Sequence, residues 1–292
     1  MSYLERKYVY HGDSMRKLRL VWLVTGMLLA PMGAVLHAQK NADSDKEFDA
    51  YKFRVSAYLF YSNPSGDVQG SNETDTIDLQ KDFGFNSYST FTGKVDWRPT
   101  RKNHLYLVGS DFNQSRQKVL SRTIMFQGQT FNVGAAVNAQ LDAPEIAPGY
   151  QYDILRRRRG HLGIGVQIDF FNTSASISAA AQITGEGVHQ AATVAKGSVL
   201  APIPVAGPDF RFYLTNSPRL FVEGEVMGMY LFGYGNFVST ADDLGYTITK
   251  HLSVNAGYQL GSRLVVNNNA SSDRIGLRLT QSGAIVGLEM SF

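Results

Sequence analysis

The feature that most constrains this chain is a two-residue rhythm running through most of it. In HLGIGVQIDFF, Leu162, Ile164, Val166, Ile168 and Phe170 oppose His161, Gly163, Gly165, Gln167 and Asp169. In KFRVSAYLFY, Phe53, Val55, Ala57, Leu59 and Tyr61 share one face, and Lys52, Arg54 and Ser56 share the other. Phe91, Gly93, Val95 and Trp97 alternate in the same way with Thr90, Thr92, Lys94, Asp96 and Arg98. A period of two sends successive side chains to opposite faces of a strand. No helical period competes with it over most of residues 51–292, so the fold expected is all-β.

Turn signals divide the pattern into two kinds of connection. One kind is short and polar or basic: PTRKN (Pro99 to Asn103), RRRRG (Arg156 to Gly160), TNSPR (Thr215 to Arg219) and TKH (Thr249 to His251). The other is mostly long, at Ser62 to Asn86, Ser115 to Val137, Thr173 to Ala195 and Asn267 to Asp273, with one short member near Gly233 to Asn236. Short and long alternate, as in transmembrane barrels with short periplasmic turns and long external loops. Ten antiparallel strands result, at 51–61, 87–99, 104–114, 138–155, 161–172, 196–214, 219–232, 237–249, 251–266 and 274–292. Several exceed the roughly 9–11 residues that cross a bilayer, so their upper ends are expected to continue as hairpins turning near Gln127–Gly128 and Gly185 to Gly187.

A soluble sandwich or lipocalin-like barrel shows alternation too, and the non-apolar face discriminates. Here it carries charges of both signs: Arg54, Lys94, Asp96, Arg98, Asp153, Asp169, Arg211, Glu223, Glu225, Arg263 and Arg278. These suit a narrow lumen in which neighbouring strands neutralise one another. The other face places Phe53, Tyr61, Trp97, Tyr150, Tyr152, Phe170, Phe212, Tyr230 and Phe232 near strand ends, where aromatic girdles meet lipid headgroups. Fifteen Tyr and seventeen Phe against two Trp fit that use. The chain has no Cys, hence no disulfide and no thiolate metal site. Its formal charge of +3 gives no argument for nucleic acid. Mean hydropathy is −0.17, and a helical membrane protein is not expected.

Residues 1–38 read as a signal peptide, with Met15 a candidate start. Arg16, Lys17 and Arg19 form a basic region, Leu20 to Ala30 an apolar one, and Ala38 a cleavage point, with Ala34 a second. Residues 39–50 then read as a periplasmic linker, and 51–292 as the barrel.

The final stretch GAIVGLEMSF carries Val286, Leu288, Met290 and Phe292 at alternate positions and ends on an aromatic. Together with the export signal and the strand pattern, it resembles the small outer-membrane β-barrel proteins of Gram-negative bacteria, the OmpA/OmpW-like group. The resemblance spans 51–292 by architecture and the last strand by motif. It implies an outer-membrane location, and contact with outer-membrane lipids and lipopolysaccharide. It also implies handling by periplasmic chaperones and by an assembly machinery that reads those four residues, and a monomeric barrel. Upstream, Ile275, Leu277 and Leu279 hold odd positions, so the apolar phase shifts before Val286; a bulge at Ser282–Gly283 is expected.

Chemistry is sparsely signalled. Glu223 and Glu225 point the same way and read best as partners of lumen Arg or Lys, rather than as an acid–base pair or a cation site. Arg156 to Arg159 read as a solvated turn. His104, His161 and His251 follow short turns; only His189 lies on the outer side, where a lipid-modifying hydrolase would need it. No metal-ligand or phosphate-loop motif occurs, so no catalytic residue, metal or cofactor is expected. The function expected is a barrel with a largely plugged, charged lumen and a structural or surface-binding role through its long loops. The alternatives are a narrow solute or ion channel, then a lipid-modifying enzyme.

Overall fold

The computed structural model describes residues 47–70, 75–179, 182–184, 187–190, 193–231, 235–266 and 275–292. Ten strands make one ring: β1 (Phe53–Gln69), β2 (Tyr88–Trp97), β3 (Asn103–Asp111), β4 (Glu145–Arg157), β5 (Gly160–Ala179), β6 (Thr193–Tyr213), β7 (Leu220–Leu231), β8 (Gly235–Thr247), β9 (Leu252–Val266) and β10 (Gly276–Ser291). Each pairs antiparallel with the next. The ring closes where β1 meets β10, in register from Arg54↔Ser291 to Gln69↔Gly276. Closure leaves no edge strand, which is what lets a sheet cross lipid.

The outer face is apolar in a band. Val55, Leu59, Val95, Leu107, Ile164, Val166, Val286 and Leu288 are all exposed there. Phe53, Trp97, Tyr152 and Tyr246 flank the band toward the short turns, with Phe53 stacked on Trp97 at 6.3 Å; Tyr61, Phe91 and Phe170 flank the other side. From Phe53 to Tyr61 is roughly 27 Å of strand at about 3.4 Å per residue, or about 20 Å of height at a tilt of about 40°. Such a belt on a closed ring is stable only in lipid. Phe212 departs from the expected girdle: it is buried and stacked on Phe210 at 6.0 Å. The Tyr230 side chain and Phe232 lie outside the described residues.

Above the belt the polarity inverts. On β5 the outward residues change from Leu162, Ile164, Val166, Ile168 and Phe170 to Asn172, Ser174, Ser176 and Ser178, while Ala175, Ile177 and Ala179 turn inward and are buried. On β10 Leu277 and Leu279 are buried inside, and Arg278 faces out. The shift of phase in the last strand is therefore this inversion and not a bulge. Its facing alternates without interruption, and the ladder to β1 is unbroken. The extra residue sits on the neighbouring strand, between Gln259 and Ser262 of β9, where the registers to β8 and β10 both slip.

The inward apolar residues above the belt form the core of a head. Strands 113–119 and 136–142 continue β3 and β4 past bends at Phe112 and Ala143–Pro144, pair with each other, and the second pairs with the top of β5. Their tip turns at Gln127–Gly128, both at positive φ (52° and 73°), the geometry of a two-residue hairpin. Strands Gln182–Thr184 and Gly187–Gln190 make a second hairpin. Residues 75–87 fold inward, burying Leu79, Phe83 and Phe85 against Phe126, Phe131, Leu141 and Ile177.

Candidate functional site

The lumen is built in three storeys, each set by which inward residues the strands supply at that height. The lowest, at the short-turn end, is a buried charge network. Its centre is Asp49, from the segment expected to be a linker, which instead tucks into the mouth of the ring and is 3% exposed. The Asp49 carbonyl accepts from Arg98 Nη1 and Arg156 Nη2, both at 2.8 Å. Its carboxylate pairs with Arg54, and lies 3.4 Å from Arg211 Nη1 and 3.2 Å from His161 Nδ1. Arg211 is the main cross-brace: Nε donates to Glu223 at 2.7 Å and Nη1 to Glu289 at 2.8 Å. The guanidinium groups of Arg54 and Arg98 cover the Tyr51 ring at 3.7 and 3.6 Å, and the Tyr51 hydroxyl donates to Asp96 at 2.6 Å. His104 sits between Asp96 and Asp153, and His161 between Asp49 and Asp209, every separation being 3.2 Å. Removing one member of a buried set like this typically costs about 3–5 kcal/mol, because its partner is left charged and unpaired.

Above the network lies a chamber of ≈ 280 Å³. Lys94 and Glu225 form an ion pair at its border, 3.6 Å apart. Higher on the wall, Glu145 accepts from Ser110 at 3.0 Å. Asp169 accepts from Gln167 at 2.6 Å, and Tyr106 donates to Gln167 at 3.0 Å. The roof is aromatic: Tyr88 meets Phe112 edge-on at 4.8 Å, and Phe171 lies 5.8 Å from Phe237. The head core fills the space above them.

Among the residues expected to line the lumen, Arg54, Asp96, Arg98, Arg211 and Glu223 fall in the lower network, Lys94 and Glu225 face the middle storey, and Asp169 is fully buried in its wall. Arg278 does not line it. The side chain is half-exposed outside the ring and pairs with Asp67 at 3.2 Å, because at that height the outer face is in water. The side chains of Arg263 and His189 lie outside the described residues. Val286, Leu288, Met290 and Phe292 all face outward, with the Phe292 ring stacked on His251 at 6.0 Å. Arg156 is not part of a solvated turn: it is buried, with Nε 2.8 Å from Glu47.

Sequence reasoning missed Asp49, Tyr51, His104, His161, Asp209, Glu145 and Glu289 as members. Glu289 was legible, since it alternates with Leu288 and Met290. Asp49 precedes the first strand, and no periodicity marks it.

Among the described residues no group of three acidic or histidine side chains converges on a metal-sized point. A closed ring with an apolar belt, short connections at one end and a built-up head at the other is an integral outer-membrane β-barrel.

No family model and no curated protein matches the chain. Solved structures do. The outer membrane protease OmpT of Escherichia coli is 13% identical over 84% of this chain and 100% of that one, with a TM-score of 0.49. The outer membrane protein OprG of Pseudomonas aeruginosa is 9% identical over 86% and 99%, with a TM-score of 0.37. The translocator domain of the autotransporter NalP of Neisseria meningitidis is 12% identical over 96% and 98%, also at 0.37. No residue role is carried over from them.

Proposed function

We propose that this protein is a non-conducting barrel whose role is structural or surface-binding, exercised by its head in contact with lipopolysaccharide and the medium. The observation that carries the reading is the double seal: a dense network of ion pairs below the chamber and an apolar, partly aromatic core above it. A ten-stranded ring is narrow enough for side chains to fill. The two seals stop water from above and ions from below. Loops on a rigid scaffold commonly carry recognition, and here the loops have a core of their own.

The reading as a non-enzyme rests on the histidines. His104 and His161 have a carboxylate beside each ring nitrogen, and among the described residues neither ring has a Ser or Thr partner that could act as nucleophile. The narrow-channel alternative draws on the chamber, which would become a passage only if both the segment around Asp49 and the core above it withdrew. In planar lipid bilayers the purified barrel is expected to give no reproducible conductance steps. Regular steps whose ion selectivity changes with Glu225→Gln would replace this reading with the channel. Chaperones and the assembly machinery are the expected partners during biogenesis, and the mature barrel is expected to be monomeric.

A further inference from the structure

Charge is unevenly distributed around the chamber. Among the described residues, seven carboxylate side chains border it against three permanent cations, Arg54, Lys94 and Arg211, and one histidine. The lower carboxylates are largely matched by arginines. The upper end is not: Glu145, which borders the chamber, and Asp169, fully buried in the wall on the adjacent strand, have no cation within ion-pair reach among the described residues, with Ser110 and Gln167 as their hydrogen-bond donors. Several carboxylate oxygens also lack a protein donor. Oδ2 of Asp169, on a side chain with no exposure, is one; Oδ1 of Asp96 and of Asp209, both on buried side chains bordering the chamber, are others. Burying an anionic oxygen without a partner is expensive, and a bound cation is one way to offset that cost.

We propose that the chamber is a binding site for an organic cation carrying two or more amine groups. The carboxylates select this class over a metal ion. They are spread over opposing walls (Glu145 on β4, Glu225 on β7, Asp243 on β8, Asp96 on β2), and none of them belongs to a group of three that could enclose a metal. A multiply charged, extended amine satisfies separated carboxylates at once. The aromatic lining, Tyr58, Phe60 and Tyr88, suits both its methylene spacers and its ammonium groups. The enclosed, low-dielectric setting strengthens each pair relative to water. The inference is independent of the surface role proposed above, since a barrel that does not conduct can still hold a ligand.

The test is equilibrium dialysis of the folded barrel in detergent micelles against spermidine at low salt, equilibrated long enough for slow entry, with magnesium and glutarate as controls. The expected result is a saturable uptake of about one equivalent, weakened at least tenfold by the double variant Glu145→Gln, Asp169→Asn. Heat-modifiable gel migration shows that each variant is folded. Should the double variant fail to fold, Glu225→Gln, on the opposite wall, is expected to weaken uptake severalfold. No saturable uptake by the native barrel, uptake indifferent to these variants, or magnesium displacing spermidine at equal charge would each overturn the proposal.

Discussion

A single carboxylate shows how side chains fix two loops of the head to each other. Asp82 accepts from the backbone N–H of Asp78 at 2.9 Å, and from Arg122 Nε and Nη2 at 3.1 and 2.7 Å. Burial pushes its carboxyl up, but the Arg122 bonds and the Asp78 N–H outweigh it and hold the group below its ordinary value of 3.8. A depressed carboxylate stabilises the fold above its unfolded pKa and loses that contribution as pH falls through the folded one. The 75–87 segment is therefore expected to stay docked from neutral pH to about pH 4 and to loosen below it. Pepsin cleavage within 75–87 should accelerate sharply between about pH 4 and pH 2. In Arg122→Gln, cleavage at pH 4 should already be fast and the step should flatten. Nothing in the sequence paired these two residues, which lie forty positions apart; a contact between two loops leaves no period to read.

At the level of strands, aromatic rings lie across glycines of the neighbouring strand. Tyr106 faces Gly149, Phe221 faces Gly245, and Tyr58 faces Gly287, each pair in direct register. A Cβ built on Gly149 would stand 2.3 Å from the Tyr106 ring, and one on Gly245 2.0 Å from Phe221. These glycines are the space into which the rings of a narrow lumen fold, the device by which an aromatic covers a bare stretch of backbone. Gly149→Val is expected to cost about 2–3 kcal/mol through overpacking and displacement of the Tyr106 hydroxyl from Gln167, read as a lower urea midpoint in micelles. Gly134→Ala, in open space though at positive φ, tests backbone strain without a packing clash. Strand number, order and lipid-facing residues were legible because the period of two is imposed by a belt that must be apolar. The head was legible only as long connections, since its burial depends on pairing between segments far apart. Phe212 was misread for a related reason: alternation gives a face, but not what the neighbouring strand lays over it.

The whole molecule is two proteins of opposite polarity sharing one set of strands. Within the belt it is polar inside and apolar outside; in the head it is the reverse. Each half looks ordinary alone. Their junction, at Phe170 and Asn172 on β5 and near Ser282 on β10, is abrupt.

That junction is a depth mark. Sinking the barrel by two residues would carry Asn172 and Ser282 into hydrocarbon, and raising it by two would lift Phe170 and Tyr61 into water. β5 and β10 both carry the mark, so the protein has little freedom to bob or tilt, and a mismatched bilayer must deform instead. Folding from urea into vesicles should accordingly be more complete in dilauroyl than in dioleoyl phosphatidylcholine, scored by heat-modifiable migration. Arg278→Leu, which blurs the mark on β10, should narrow that difference. The strands thus act as a ruler held against the membrane, with its zero at the base of the head.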